Sequence, residues 1–170
     1  MGSRMIVFGL AGWSGSGKTT LMEKLLGTIT ARGITVSTVK HTHGEFDIDR
    51  PGKDSYRHRE AGASEVMMIS GRRWALLHEL RDAAEPSLED LMAHMSPVDL
   101  VLIEGYKAYP HAKLEVYRRA NGKPPLWPND PTIIGVATDE PLSNLPLPQF
   151  DLNTPSVISE FILAHTGLAG

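Results

Sequence analysis

The sequence predicts an α/β fold built on a mainly parallel central sheet, with helices in layers around it and some antiparallel edge strands. Three observations carry this. Strand-like and helix-like segments alternate along the chain, the pattern of crossover connections between parallel strands. A glycine-rich turn, Gly12–Thr19, joins the apolar run Met5–Leu10 to a helix-like segment. Leu100–Ile103 is continuously apolar, as a strand buried on both faces should be.

The elements follow in order. Met5–Leu10 is the first strand, and a helix from about Thr19 to Ala31 repeats Leu21, Leu25 and Ile29 on one stripe, with Gly33 placed to stop it. Ile34–Val39 is β-branched and reads as the second strand. Lys40–Lys53 is a polar loop closed by Pro51-Gly52, and Asp54–Ala61 a short helix ending near Gly62. Glu65–Ile69 is a third strand, and Trp74–Leu80 a fourth after the Gly71-Arg72-Arg73 turn. Ser87 and Asp90 have capping-box spacing before a helix carrying Leu88, Leu91, Met92 and Met95 up to Pro97. After the Leu100–Ile103 strand, Lys113–Tyr117 alternates in the manner of an edge strand. Asn121–Pro131, rich in Pro and Gly, is a loop, and Ile133–Ala137 another core strand. The last helix starts with Thr154 as cap and Pro155 at its first position, its apolar face formed by Val157, Ile158, Phe161 and Ile162. There is no internal repeat and no convincing boundary, so residues 5–167 are expected to form one domain. Met1–Arg4, ahead of a second methionine, reads as an expression remnant.

Composition narrows the function. A chain of 170 residues can bury a substantial core, and it has no apolar run long enough to span a membrane. Zero cysteines exclude disulfides, thiolate metal sites and thiol catalysis. A net charge of −3 argues against nucleic acid as the main partner. No leader is evident, and a cytoplasmic location is expected.

Gly12-Trp13-Ser14-Gly15-Ser16-Gly17-Lys18-Thr19 fits G-x-x-x-x-G-K-[ST] in the strand–loop–helix setting that the motif requires. Glycines let successive backbone N–H groups face one phosphate, and the helix that follows adds the positive end of its dipole. Lys18 would reach the terminal phosphates and the Thr19 hydroxyl would take a Mg²⁺ position. The expected architecture is therefore the three-layer P-loop NTPase fold, binding a nucleoside triphosphate.

Glu104 ends the Leu100–Ile103 strand at the sheet edge where ligands of open α/β folds sit, and is the second candidate for Mg²⁺; a solvated acid at a strand end is the alternative. Asp99 precedes that strand and belongs at the opposite edge. Asp47 or Asp49, in the loop after the second strand, could serve the metal directly or through water. His41 and His43 suit substrate or phosphate hydrogen bonding better than metal binding, for which a third ligand is not evident. Arg50, Lys53, Arg57 and Arg59 form a basic cluster, either a solvated helix face or a dock for a phosphorylated or acidic ligand. Asp139, ending the Ile133–Ala137 strand, is a candidate guanine reader, since a carboxylate accepts together the N–H donors of a guanine edge. It equally suits a turn before Pro141.

The motifs Gly12–Thr20, Val39-Lys40-His41-Thr42-His43, Phe46-Asp47-Ile48-Asp49, Pro51–Tyr56 and Leu102-Ile103-Glu104-Gly105-Tyr106-Lys107 together resemble the molybdopterin-guanine dinucleotide biosynthesis protein B (MobB) family. The likeness runs from about Met5 to Asp139. It implies a GTP-binding homodimer with weak intrinsic GTPase activity, an accessory factor to the nucleotidyltransferase that joins GMP to molybdopterin. By position it gives the phosphate role to Gly15, Ser16, Gly17, Lys18, Thr19 and Thr20, with Gly12 and Ser14 completing the loop, and the Mg²⁺ role to Glu104 with Asp47 or Asp49. Molybdopterin itself is a further candidate ligand. Lys18 and Glu104 are the candidate catalytic residues for any hydrolysis. A small-molecule kinase or ATP-dependent synthetase of the dethiobiotin-synthetase type shares the phosphate loop and the strand end, and is the alternative. A metal-insertion GTPase is disfavoured by the lack of cysteine and of a His-rich tract.

Overall fold

A computed structural model describes residues 5–42, 44, 46–107 and 109–170. Met1–Arg4 and His43, given readings above, lie outside the described residues. The chain divides into two compact units, residues 43–96 forming one and the remainder the other.

The larger unit holds a six-stranded sheet in the order β2-β5-β1-β6-β7-β8. Its strands are β1 (Ile6–Ala11), β2 (Val36–Lys40), β5 (Leu100–Glu104), β6 (Lys113–Tyr117), β7 (Ile133–Thr138) and β8 (Gln149–Asp151), and every pairing is parallel. Period-two alternation splits each strand between the two faces. Phe8 and Leu10, Leu100 and Leu102, and Leu114 and Val116 join one core with Leu21, Leu25 and Ile29 of α1 (Lys18–Thr30) and Ile158, Ile162 and Leu163 of α4 (Pro155–Thr166). At roughly 1.5–3 kcal/mol for each fully buried large aliphatic side chain, this stripe holds the two helices on the sheet. Gly33 stands just beyond α1 with a positive φ of 81°, its N–H donated to Thr30.

The smaller unit contains α2 (Asp54–Glu60), the antiparallel pair β3 (Glu65–Ile69) and β4 (Trp74–His78), and α3 (Leu88–Ala93). Ser87 and Asp90 form the predicted capping box: the Ser87 hydroxyl accepts from the Asp90 N–H at 3.1 Å, and the Asp90 carboxylate accepts from the Ser87 N–H. One face of the hairpin pairs Met67 with Leu76 and Ile69 with Trp74, and all four side chains are exposed.

Three local expectations need correction. Lys113–Tyr117 lies inside the sheet, between β1 and β7. Its charged residues alternate as an edge strand's would, but Lys113 and Glu115 are both fully buried and bonded. Lys113 Nζ donates to the Tyr109 carbonyl and to Thr132 Oγ1, and lies 3.7 Å from the Asp130 carboxylate. The Glu115 carboxylate accepts the backbone N–H groups of Leu126 and Trp127 at 2.9–3.0 Å. Val157 is about half exposed, because the buried stripe of α4 runs through Ile158, Ile162 and Leu163 instead. Thr154 precedes the helix, but its hydroxyl donates backwards to the Asp151 carbonyl and does not cap. β8, three residues long beyond a proline-rich stretch, carried too short a pattern to be predicted.

Candidate phosphate and nucleotide site

Parallel pairing brings the C-terminal ends of β1, β5, β6, β7 and β2 to one edge of the sheet, and the sites of open α/β folds lie there. The order of the strands reverses around β1, which carries the glycine-rich loop.

Gly12 leaves β1 with φ 141°; a Cβ there would stand 2.5 Å from the Val116 carbonyl oxygen and 2.9 Å from Ser16 Oγ. Gly15 and Gly17 also have positive φ, and Gly17 is the residue from which α1 starts. Two of the loop's carbonyls are taken by side chains from beyond β6: Asn121 Nδ2 approaches the Ser14 oxygen at 3.4 Å and Arg118 Nε donates to the Ser16 oxygen at 2.9 Å. Ser16 N–H donates to the Trp13 carbonyl, whereas the amides of Gly15, Gly17 and Lys18 have no protein acceptor among the described residues. Free amides at the start of a helix are what an anion needs.

Lys18 Nζ donates to the Trp13 carbonyl at 2.9 Å. Partial burial pulls its ammonium below the ordinary lysine range; Glu104 counters this, while Lys107 and Lys40 add to it. An arriving polyanion would relieve that crowding of positive charge. The Thr19 hydroxyl lies 3.3 Å from the Glu104 carboxylate. Lys40, paired in register with Glu104 across β2 and β5, places its ammonium 3.9 Å from the same carboxylate. Hydroxyl and carboxylate oxygens facing one another beside a phosphate loop suit a hard cation such as Mg²⁺, which takes few protein ligands and completes its shell with phosphate and water. Ser14 and Thr20 are exposed on the same loop and first helical turn.

Asp139 follows β7, and its carboxylate accepts from Arg118 Nη1 at 2.8 Å. A cleft of about 120 Å³ opens beside it, lined by Thr138, Glu140, Pro141, Gln149 and Phe150 among others. Asp99 lies at the other edge as expected, accepting the N–H and hydroxyl of Thr35.

Asp47 and Asp49 belong to the smaller unit. There Arg59 donates to both oxygens of Asp47 at 2.8–3.0 Å and to Glu79 at 2.8 Å, and its Nε lies 3.5 Å from Asp49. Those hydrogen bonds raise the Arg59 pKa further and lower that of Asp47. Arg59 is therefore committed to these acids and is not part of an open basic face. Its side chain is 13% exposed, against 74% for Arg57.

Several residues at the site carried no pattern in the sequence. Trp13 donates its indole N–H to the Pro124 carbonyl at 2.7 Å, and Lys107 Nζ lies 4.3 Å from the Trp13 ring centroid. Glu115 anchors residues 126 and 127, and Arg118 bridges the loop to Asp139. Their partners are 11 to 111 residues away in sequence, so spacing could not reveal them.

The sheet order, the glycine loop and the carboxylate at the neighbouring strand end define an α/β protein of the P-loop class. Residues 7–139 match the family model described as molybdopterin guanine dinucleotide synthesis protein B. The molybdopterin-guanine dinucleotide biosynthesis adapter protein of Escherichia coli K12 is 42% identical over 166 residues, 95% of this chain and 94% of its own. The adapter protein of the same name from Haemophilus influenzae is 39% identical, covering 95% of this chain and 90% of that one. Among solved structures, a MobB protein homolog from Bacillus stearothermophilus superposes with a TM-score of 0.69 at 27% identity, covering 95% and 97% of the two chains. This chain belongs to the MobB family.

Proposed function

We propose that this protein is a GTP-binding adapter in molybdopterin-guanine dinucleotide biosynthesis, assisting the nucleotidyltransferase that joins GMP to molybdopterin. The relatives' shared description as adapter proteins supports the role, and the free amides of Gly15, Gly17 and Lys18 above the Thr19–Glu104 pair are the observation that carries nucleotide binding. Lys18 exchanges the Trp13 carbonyl for a phosphate oxygen. Thr19 and Glu104 are the residues that would hold Mg²⁺, which supplies charge neutralisation for the triphosphate. Asp139 reads the guanine edge. Hydrolysis is slow on this reading, since Arg118, the arginine that touches the loop, is taken up by the Ser16 carbonyl and Asp139. The exposed Met67, Ile69, Trp74 and Leu76 face is the surface that a homodimer would cover.

Calorimetric titration with GTP and ATP, each with Mg²⁺, while phosphate release is followed, tests the nucleotide reading. Tighter binding of GTP with slow release is expected. Preference for ATP, or rapid turnover with a small acceptor, would replace it with a kinase or synthetase of the dethiobiotin-synthetase type. Retention of the nucleotidyltransferase by this protein, compared with and without GTP, tests the adapter role.

A further inference from the structure

Arg118 occupies a position that neither the glycine loop motif nor a base-reading motif assigns. It follows β6 directly, one strand away from Asp139 at the end of β7. Its guanidinium spans two acceptors: Nε donates to the Ser16 carbonyl at 2.9 Å and Nη1 to Asp139 Oδ2 at 2.8 Å. It lies flat enough against the loop that a Cβ at Gly17 would meet Nε and Nη2 at 3.4 and 3.5 Å. One planar cation thus touches both the phosphate loop and the candidate base reader.

The bridge leaves each end able to work. On the loop it uses a carbonyl, so no phosphate-facing N–H is lost. On Asp139 it uses one site of an ionised carboxylate that offers about four, leaving Oδ1 and part of Oδ2 for two further donors. The Asp139 side chain remains 28% exposed, beside a cleft whose walls include Pro141 and Phe150. A charge-assisted hydrogen bond to Oδ2, from a guanidinium itself anchored on the Ser16 carbonyl, restrains how the carboxylate can turn and so where further donors must lie. The same side chain ties the Asp139 carboxylate to the phosphate loop.

We infer that Arg118 is a specificity-determining positioning residue: it holds the Asp139 carboxylate in the plane that accepts guanine N1–H and the 2-amino group, in register with the phosphate loop. The inference rests on the reading of Asp139 as the guanine contact. Inosine triphosphate, which lacks the 2-amino group, isolates the effect. A hydrogen bond to a charged acceptor in a site built for it gives a discrimination of about tenfold or more.

The test measures affinities for GTP and inosine triphosphate, each with Mg²⁺, in the wild type, Arg118→Gln, Arg118→Lys and Asp139→Asn, with thermal midpoints to show that each variant is folded. Gln removes the charge, and Lys keeps it but has no planar fork. Both should lower the preference for GTP over inosine triphosphate by about tenfold, with inosine triphosphate, which keeps N1–H, weakening less than GTP. Asp139→Asn should lose it as well and gain affinity for xanthosine triphosphate, whose 2-oxo group accepts from the new amide. If Asp139→Asn loses the preference but Arg118→Gln keeps it, the Arg118 inference fails and the Asp139 reading stands. If both keep it, the Asp139 reading fails and takes the inference with it. Equal weakening of both nucleotides in Arg118→Gln, tighter GTP binding in it, or a preference retained by Arg118→Lys would each overturn the inference.

Discussion

His111 should make this protein acid-sensitive in a calculable way. Its ring is 8% exposed and packed over Gly9, where a Cβ would come within 2.3 Å of Nε2, with the Tyr109 ring centroid 5.4 Å away. Among the described residues neither ring nitrogen has a hydrogen-bond partner. Burial, reinforced by the Lys113 ammonium and opposed by Asp130, lowers its pKa from 6.5 to about 4. The fold therefore refuses a proton that the unfolded chain accepts. Above pH 6.5 the ring is neutral in both states and has no effect; stability falls as pH drops from there towards 4. Near pH 5 the loss is about 2 kcal/mol, approaching at most about 3 kcal/mol at lower pH. Urea unfolding at about pH 7 and about pH 5, in the wild type and in His111→Phe, measures it. Phe keeps the ring volume and cannot titrate. The wild type should lose about 2 kcal/mol more than the variant between the two conditions. An equal loss in both would show that the ring is accommodated when charged, and would refute the reasoning.

Lys18→Ala should weaken GTP binding by about a hundredfold or more with little change in thermal midpoint, since it deletes a phosphate contact and no core packing; calorimetry and thermal denaturation together check this. Glu115→Gln should destabilise by about 1–3 kcal/mol in urea, because whichever oxygen the new NH2 group replaces, it faces the Leu126 N–H at 2.9–3.0 Å, donor against donor. Ile69→Lys, on a side chain 79% exposed, tests the proposed dimer face: it should leave the fold intact and weaken self-association in sedimentation equilibrium.

What could be read from the sequence was what repeats or has fixed spacing. The Leu21, Leu25, Ile29 stripe, the Ser87–Asp90 box and the Leu100–Glu104 strand are local patterns, and the structure has each where it was expected. The glycine loop carried its own geometry, so its meeting with Glu104 could be foreseen from strand ends alone. β6 was misplaced because alternating charge looks the same whether it faces water or a dedicated partner. Lys113 and Glu115 differ from surface residues only through Thr132, Asp130 and the 126–127 amides, which the eye does not pair with them. Arg118 was invisible for the same reason: its two acceptors lie 102 residues before it and 21 after it. The Arg59 clamp on Asp47 and Asp49 likewise turned on a side chain that charge counting had assigned to an open basic surface.

Gly12 heads the nucleotide signature, yet the atoms that forbid a side chain there are the Val116 carbonyl of the neighbouring strand and the hydroxyl of Ser16. That constraint is one of sheet closure and would persist with no nucleotide in the cell. A descendant of this chain that abandoned phosphate binding would be free to lose Lys18 but obliged to keep Gly12. The two ends of one motif thus answer to different selective pressures, and only the lysine end records whether the site is in use.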